Sequence, residues 1–494
     1  MSAKNLNILL CTILALWSVC TLAGPKIQTW TTANGASVYF VLTEGLPLVD
    51  IRVVFDAGSA RDGAQFGLAT LTSGLLDTGA GQWNADAIAQ RMEGVGARLG
   101  TGISRDTAWV SLRSLTSPKL LEPALDTLRE IIQHPTFSAT DFEREKKNLL
   151  VGLKQREESP GDLAGITFFQ TLYGSHPYAH PKEGNIDTVE KLTREDLQKF
   201  YQHYYVAKNA LIVIVGEVDK AKAESIANGL LSGLPAGDVA PALPKVGQPS
   251  ASKTERKFFP SAQTHVYSGV PGIKAVDPDY FPLYVGNQIL GGSGLVSKIT
   301  EEVREKRGLS YSAFSYFYPF REEGPFLMGL QTKKGQSDEA LSVMQKTLRD
   351  FINAGPTPKE LEASKKNITG GFAMRLVELG ADRGGRRLAH HRGDLGRRQA
   401  FLDLRERQRQ LLLARIAEHA ATGRVDADIT QRLGVDQFNR VGGLLDDGIH
   451  QRPVVGLGGG GAALREQGVA EGEYRVRNVT QDTARGLADG LDRR

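Results

Sequence analysis

The segment Glu301-Glu302-Val303-Arg304-Glu305-Lys306-Arg307-Gly308-Leu309-Ser310-Tyr311 leads from a charged helix end through a glycine into a strand. Positions before Gly308 follow helical spacing, and glycine favours the left-handed conformation that often ends a helix. Serine and aromatic residues then alternate from Ser310 to Tyr318, as is typical of a strand. The turn folds the strand back beside the helix, which predicts that the Arg304 guanidinium and the Tyr311 phenol lie close together.

This pair has a functional and a structural interpretation. Two hydrogen-bond donors aimed at one point can stabilise a peptide carbonyl as it becomes an oxyanion. In the structural interpretation, Arg304 is a surface cation and Tyr311 is half-buried. Spacing alone favours the structural interpretation.

The chain is long enough for more than one domain. At 494 residues it exceeds a single ordinary core, and its length suggests two to three units. The formal net charge of +4 is small for this size, and no basic stripe interleaved with aromatic residues occurs before residue 376. Nucleic acid is therefore not an expected partner.

Residues 1–24 are typical of an export signal. Lys4 precedes the apolar run Ile8–Trp17, and small residues follow up to Gly24. The run is too short for a permanent anchor, so we expect no stable membrane span. Cleavage near Ala23 would release the protein into the periplasm.

Both cysteines of the chain, Cys11 and Cys20, lie in this signal. Lipidation of Cys20 is an alternative to simple cleavage, although the preceding Trp17-Ser18-Val19 fits a lipobox poorly. A cleaved chain would carry no thiol. It would depend on its apolar core for stability in an oxidising compartment.

The pattern from residue 25 onward predicts an α+β fold of two duplicated halves, each a mostly antiparallel sheet packed with helices. The order of strand, apolar helix and glycine loop in Val49–Gly81 recurs in Gln263–Gly294. We assign residues 25–235 to the first domain, 236–255 to a linker rich in Pro, Gly and Ala, and 256–376 to the second. Two such halves usually enclose a cleft.

Periodicity and turn residues predict the individual elements. The predicted strands are Val38–Leu42, Val49–Phe55, two within Arg98–Leu112, Ala210–Gly216 and Gln263–Val270. The predicted helices are Gly67–Leu76, Ala85–Glu93, Ser117–His134, Ser138–Glu158, Asp162–Tyr173, Arg194–Tyr204, Lys220–Leu231 and Asp279–Leu290.

Four motifs in this order resemble the pitrilysin/insulinase family of zinc metallopeptidases, the inverzincins. They are Gly58–Leu112 with its Gly67-Leu68-Ala69 and Gly94-Val95-Gly96-Ala97, the stretch Leu172-Tyr173-Gly174-Ser175-His176-Pro177-Tyr178, the Gly184-Asn185 turn and Val303–Tyr311. The resemblance covers roughly residues 25–376.

An active member of that family carries H-x-x-E-H on the helix after Gly-Leu-Ala, and a more distant Glu completes the zinc site. The two His bind zinc, and the intervening Glu takes the proton of the bound water. The corresponding positions here are Thr70, Leu71, Thr72, Ser73 and Gly74, with Gly152 at the distal position. The resemblance therefore implies a chain without a metal or another cofactor, inactive on its own.

A second metal site could be built from His176 and His180, four residues apart. Pro177 and Pro181 exclude a regular helix face there. We interpret both histidines as hydrogen-bonded loop residues.

In two-subunit bacterial members of the family, one chain carries the zinc motif and the other an Arg and a Tyr. The resemblance implies that Arg304 and Tyr311 are that pair and the catalytic residues of this chain. It predicts the non-catalytic subunit of a heterodimeric zinc metallopeptidase, which binds extended peptides and contributes to the metalloendopeptidase activity of a complex. Zinc would be on the partner subunit. Arg304 would hold the substrate carbonyl, and Tyr311 would donate to the oxyanion.

Residues 377–494 depart in composition from the rest of the chain. They are rich in Arg and Gly and contain no Lys, which is typical of a GC-rich gene read out of frame. We interpret the tail as frameshifted near Leu376, which leaves the second half incomplete. A genuine divergent tail is the alternative, in which Arg405–Ala421 could form a helix while Gly456–Gly461 could not pack a core.

Two other functions stay open at this stage. One is a structural or peptide-binding protein without a peptidase partner, and the other is a degenerate pseudogene product. We expect resequencing of the DNA around codon 376 to show a frameshift or a sequencing error, whose correction restores the family pattern. An independently confirmed, uninterrupted frame through the tail would contradict the frameshift.

Overall fold

The computed structural model describes residues 27–381 and 472–478. The strands of the first half are β1 (Gln28–Thr31), β2 (Ser37–Leu42), β3 (Leu48–Phe55), β4 (Arg98–Ile103), β5 (Ala108–Leu115) and β6 (Ala210–Gly216). Its longer helices are α1 (Leu68–Gly74), α2 (Ala85–Gly94), α3 (Pro118–Gln133), α4 (Ala139–Glu157), α5 (Pro160–Tyr173), α6 (Arg194–Tyr204) and α7 (Lys220–Leu231).

Most of these helices begin at a residue whose side chain accepts a backbone N–H of the first turn, which stabilises the helix end. The capping residues of α2, α4, α5, α6 and α7 are Asn84, Ser138, Ser159, Thr193 and Asp219. The predicted helix boundaries agree with these caps to within a few residues.

The first sheet has the strand order β1-β2-β6-β3-β5-β4. Only β2 and β6 pair in parallel, and the other neighbours are antiparallel. Alternate residues of β3, from Val49 to Phe55, face the helices and are buried in the main core. The helices cover this face because it is apolar at every second position.

The second half contains β7 (Thr254–Phe259), β8 (Gln263–Pro271), β9 (Ser310–Phe317), β10 (Pro325–Lys333) and β11 (Gly472–Asn478). Its longer helices are α8 (Tyr280–Asn287), α9 (Ser337–Ala354) and α10 (Pro358–Ala381). The predicted helix Asp279–Leu290 is therefore α-helical only to Asn287, and it continues as a π-turn over Gln288–Gly292.

The second sheet has the order β9-β10-β8-β11-β7, which repeats β4-β5-β3-β6-β2 of the first. The predicted α+β fold with two duplicated halves is confirmed. The strand β11 differs from its counterpart in direction. The strand β6 is parallel to β2 and antiparallel to β3, whereas β11 is antiparallel to β7 and parallel to β8.

The strand β11 comes from the tail that we interpreted as frameshifted. The second sheet thus includes residues beyond 256–376, and its fourth strand is not a directional copy of β6. The frameshift stays a prediction. The signal at 1–24, Arg405–Ala421 and Gly456–Gly461 lie outside the described residues.

The two halves meet where α5 packs on the second sheet. Phe168 of α5 is fully buried, and its ring centroid lies 6.1 Å from that of Tyr267 on β8. Gly269 on β8 makes room for it, since a Cβ there would lie 2.9 Å from the Phe168 ring. We call the surrounding group the inter-half cluster: Ala60, Phe168, Leu172, Tyr173, Tyr178, Leu243, Val246 and Leu327. At this contact the halves are packed together, and the expectation of a cleft between them stays a prediction.

A buried polar network also joins the halves. The Tyr178 hydroxyl donates to Asp106 Oδ1 at 2.6 Å, and Asp106 Oδ2 accepts the backbone N–H of Arg321 at 2.9 Å. The Arg321 guanidinium pairs with Asp56, and the Glu322 N–H donates to the Tyr178 oxygen at 3.1 Å. Burial raises the pKa of Asp106, and burial together with Asp106 raises the pKa of Tyr178. The Asp106 carboxylate and the Tyr178 hydroxyl thus both accept a backbone N–H from the second half, as buried polar groups need partners.

The linker is held on the first half by side chains. Arg61 donates to the Pro241 carbonyl at 2.6 Å, and His176 Nε2 lies 2.8 Å from the Pro244 carbonyl oxygen. Asn209 Oδ1 accepts the N–H of Ala240 at 3.1 Å. The connection between the halves therefore follows a defined path.

Removing one hydroxyl tests the polar network. We expect Tyr178→Phe to lower the free energy of unfolding by about 1–3 kcal/mol, because the buried Asp106 loses a donor. Chemical denaturation followed by circular dichroism measures the change. Tyr318→Phe, in the same aromatic surroundings, is the control and should cost less than about 0.5 kcal/mol. Equal losses in the two variants would contradict the argument.

Candidate functional site

Arg304 lies on a short helical segment that departs from regular α-helix. Lys298–Thr300 forms a single α-helical turn, which continues as a π-turn over Glu301–Glu305. π-turns are rare in proteins, but those that occur often lie at functional sites.

A glycine ends this segment and redirects the chain. Gly308 has a φ of +61°, in the region that glycine adopts without a steric penalty. Its N–H donates to the Arg304 carbonyl at 2.8 Å, and the Leu309 N–H donates to the Val303 carbonyl at 2.9 Å. The predicted left-handed glycine cap is confirmed.

The strand β9 then returns beside the segment and brings Tyr311 to Arg304. The guanidinium carbon lies 4.6 Å from the centroid of the Tyr311 ring, which is a cation–π contact. The Arg304 Nε atom lies 3.4 Å from Glu305 Oε1, and the Arg304 side chain is 27% exposed. Tyr311 is 82% exposed. The structure thus brings the two residues together at the surface, and their catalytic role stays a prediction.

Two buried polar residues join the helices before Arg304 to β9, Thr300 from the Arg304 segment and Asn287 from α8. The Thr300 hydroxyl donates to the Ala313 carbonyl at 3.2 Å, and the Asn287 amide donates to the Ser315 carbonyl at 2.9 Å. The Ser315 hydroxyl returns a bond to Asn287 at 2.6 Å. Sequence analysis missed these residues, because a Thr or Asn inside a helical pattern gives no indication of which strand it binds.

The position of the family zinc motif lies on α1. Thr70 donates to the Lys182 carbonyl at 2.5 Å, and Ser73 donates to the Gly102 carbonyl on β4 at 3.2 Å. Both hydroxyls therefore bind backbone oxygens. A Cβ placed on Gly74 or on Gly152 would meet nothing within 4 Å, so two of the ligand positions offer space and no side chain.

Asp62 caps the N-terminus of α1. Its carboxylate accepts the N–H of Gly67 and of Ala69, each at 2.8 Å, and lies 3.4 Å from His180 Nε2. Burial raises the pKa of Asp62, whereas His180 and the two N–H groups lower it. The carboxylate is thus engaged in holding the helix end.

The two loop histidines have structural partners. His180 Nε2 lies 3.0 Å from the Ser59 carbonyl, and its ring stacks on Phe66 with centroids 4.2 Å apart. His176 Nδ1 accepts the Tyr178 N–H at 3.1 Å. The interpretation of both as hydrogen-bonded loop residues is confirmed.

Within residues 27–381 and 472–478, no group of three or more His, Cys, Asp or Glu is placed to hold a metal ion. The residues at the zinc positions, Thr70, Ser73, Gly74 and Gly152, offer none of the nitrogen, sulfur or carboxylate donors that zinc sites in proteins use. In the same part of the chain, no helix combines the length and apolar character that crossing a membrane needs.

The family models agree with the fold and with the motifs. Residues 41–181 match the model described as insulinase, peptidase family M16, and residues 191–368 match the model described as the peptidase M16 inactive domain. The chain belongs to peptidase family M16.

Similar proteins carry names of two kinds, some that describe an inactive or non-peptidase protein and some that describe a zinc protease. A solved peptidase M16 inactive domain from Pseudomonas fluorescens is 30% identical, with a TM-score of 0.68 and coverage of 92% of this chain and 98% of the other. The "non-peptidase homolog YmxG" of Helicobacter pylori is 28% identical over 69% of this chain and 79% of its own length. A Bacillus subtilis relative, 24% identical over 71% of this chain and 84% of its own, is named an uncharacterized zinc protease.

We expect the purified chain to bind no stoichiometric zinc and to cleave no peptide alone, because Thr70, Ser73, Gly74 and Gly152 supply neither imidazole nor carboxylate. Elemental analysis after incubation with zinc and desalting measures the first quantity, with an H-x-x-E-H peptidase of the family as the control. One zinc per chain, lost together with activity on chelation, would contradict this expectation.

Proposed function

We propose that this protein is the non-catalytic subunit of a two-chain zinc metallopeptidase and supplies Arg304 and Tyr311 to the active site of a zinc-bearing partner. The main observation is the contact between the two side chains at the protein surface, where the guanidinium lies 4.6 Å from the phenol ring. The absence of zinc ligands on α1 supports a role that needs a second chain.

The exposure of Tyr311 supports this role. A tyrosine that served only to pack the strand would bury its ring, whereas this ring is 82% exposed. The cation beside it places two hydrogen-bond donors on one surface. A peptide docked there could receive a bond from each donor.

The chemistry assigned to this chain is electrostatic. The partner's zinc would activate the water that attacks the scissile carbonyl. Arg304 would bind a carbonyl oxygen of the extended peptide and orient it. Tyr311 would donate its hydroxyl hydrogen bond to the oxygen that becomes negative in the transition state.

We further propose that the protein works in the periplasm after removal of the signal at residues 1–24. The apolar run Ile8–Trp17 supports export. A zinc-bearing chain of the same family in the same compartment is the expected partner.

The second candidate is a structural or peptide-binding protein without a peptidase partner. The name of the Helicobacter pylori relative, a non-peptidase homolog, favours it. A chain of this kind would bind extended peptides without increasing the activity of any zinc-bearing relative.

Steady-state kinetics of the reconstituted pair tests the proposal. We expect Tyr311→Phe to leave assembly intact and to lower kcat by ~100-fold, because an oxyanion loses one donor. Arg304→Ala should mainly raise KM, since the guanidinium binds substrate and transition state alike.

Tyr316→Phe is the matched control, because Tyr316 lies on the same strand and is half-buried. It should leave kcat and KM unchanged. An unchanged kcat in the Tyr311→Phe variant, with normal assembly, would refute the catalytic role. A Tyr311→Phe variant altered only in thermal stability would support the structural interpretation.

A further inference from the structure

Tyr311 lies outside the regular alternation of β9. Ala313 and Ser315 are buried, and residues two apart on a regular strand face the same side. Regular alternation would therefore direct Tyr311 into the core. The structure instead buries Ser310 and exposes Tyr311 and Ser312 in succession.

A β-bulge causes the change. Ser310 pairs with Thr332 on β10, and Ser312 pairs with the next residue, Gln331, so Tyr311 is an extra residue between them. A bulge of this kind turns the side chain of the extra residue and occurs often beside active sites. Here it turns the phenol out of the core and toward Arg304.

The hydroxyl of Ser310 holds this bulge together. Its Oγ atom lies 2.6 Å from the Ser312 carbonyl oxygen and 2.6 Å from the Gln331 carbonyl oxygen. The Ser310 Oγ atom also accepts the Ser312 N–H at 3.2 Å. One buried hydroxyl thus donates to one of these two carbonyls at a time and accepts an N–H group at the bulge.

We propose that Ser310 is a positioning residue for Tyr311: its hydroxyl maintains the bulge that places the phenol at the surface beside Arg304. This inference rests on the proposed function. Without the hydroxyl, the groups it serves lose their partner, and a regular register that draws Tyr311 inward becomes competitive. A small displacement of a catalytic donor has a large effect on rate, so the effect should fall on kcat.

The first test uses the full chain alone. The ring resonances of Tyr311 are identified in an NMR spectrum because they are absent from the Tyr311→Phe variant. Their shift in Arg304→Ala shows how far they depend on the neighbouring guanidinium. We expect Ser310→Ala to shift or broaden these resonances at least as much as Arg304→Ala does. Ser310→Thr keeps the hydroxyl and should retain the wild-type positions.

Ser312→Ala is the matched control, since it removes an exposed hydroxyl two residues away. It should leave the Tyr311 resonances in place. Unchanged resonances in Ser310→Ala, equal shifts in Ser312→Ala, or a Thr variant shifted as far as the Ala variant would each overturn the proposal. The remaining tyrosine resonances show whether each variant is folded.

The second test measures kinetics with the zinc-bearing partner. Ser310→Ala should lower kcat by ~10-fold or more with little change in KM, while Ser312→Ala stays at the wild-type rate. If Tyr311→Phe is impaired and Ser310→Ala is not, the positioning role fails and the proposed function stands. If Tyr311→Phe itself keeps full turnover, the proposed function fails, and the NMR result alone decides whether Ser310 orients the ring.

Discussion

The partly buried contact of Arg321 with the first half, through its guanidinium to Asp56 and its backbone N–H to Asp106, restricts how the two halves of this protein are arranged. Charges in a low-dielectric interior are tolerated only when they are paired, so this contact leaves little freedom for the halves to slide. Arg321 lies in the connection between β9 and β10. Tyr311 lies at the other end of β9, about 20 Å from Phe317 by the rise of a strand. The same strand therefore links the inter-half contact to the Arg304 and Tyr311 surface.

The first half shows that a zinc site can be lost without loss of its scaffold. α1 keeps its Asp62 cap, and hydroxyls at Thr70 and Ser73 bind carbonyl oxygens from neighbouring segments. A side chain that binds a metal directs its donor atom at the ion, whereas these two hydroxyls are already bonded to the backbone. The helix thus contributes stability, and the function that we propose rests on Arg304 and Tyr311 of the second half.

Local patterns predicted most of the helices and strands, because capping residues, glycine turns and periodicity act within a few residues. The glycine cap at Gly308 and the approach of Arg304 to Tyr311 followed from one such segment. The bulge at Ser310 and the contact of Arg321 with Asp56 could not be predicted in this way. They depend on which distant strand or loop lies opposite, and a single sequence carries no signal of that pairing. The π-turn at Glu301–Glu305 also differs from the prediction, since its residues have the spacing of an ordinary helix.

The reversed strand β11 has a consequence for the whole second sheet. It is the only described element that lies between β7 and β8, so the sheet is continuous only while this position is filled. A copy of the protein without it would separate β7 from the sheet and expose a row of unpaired N–H and C=O groups along β8. Open rows of this kind recruit strands from other molecules. Self-association through β8 would then compete with folding, and the concentration of the protein in its compartment would decide which prevails.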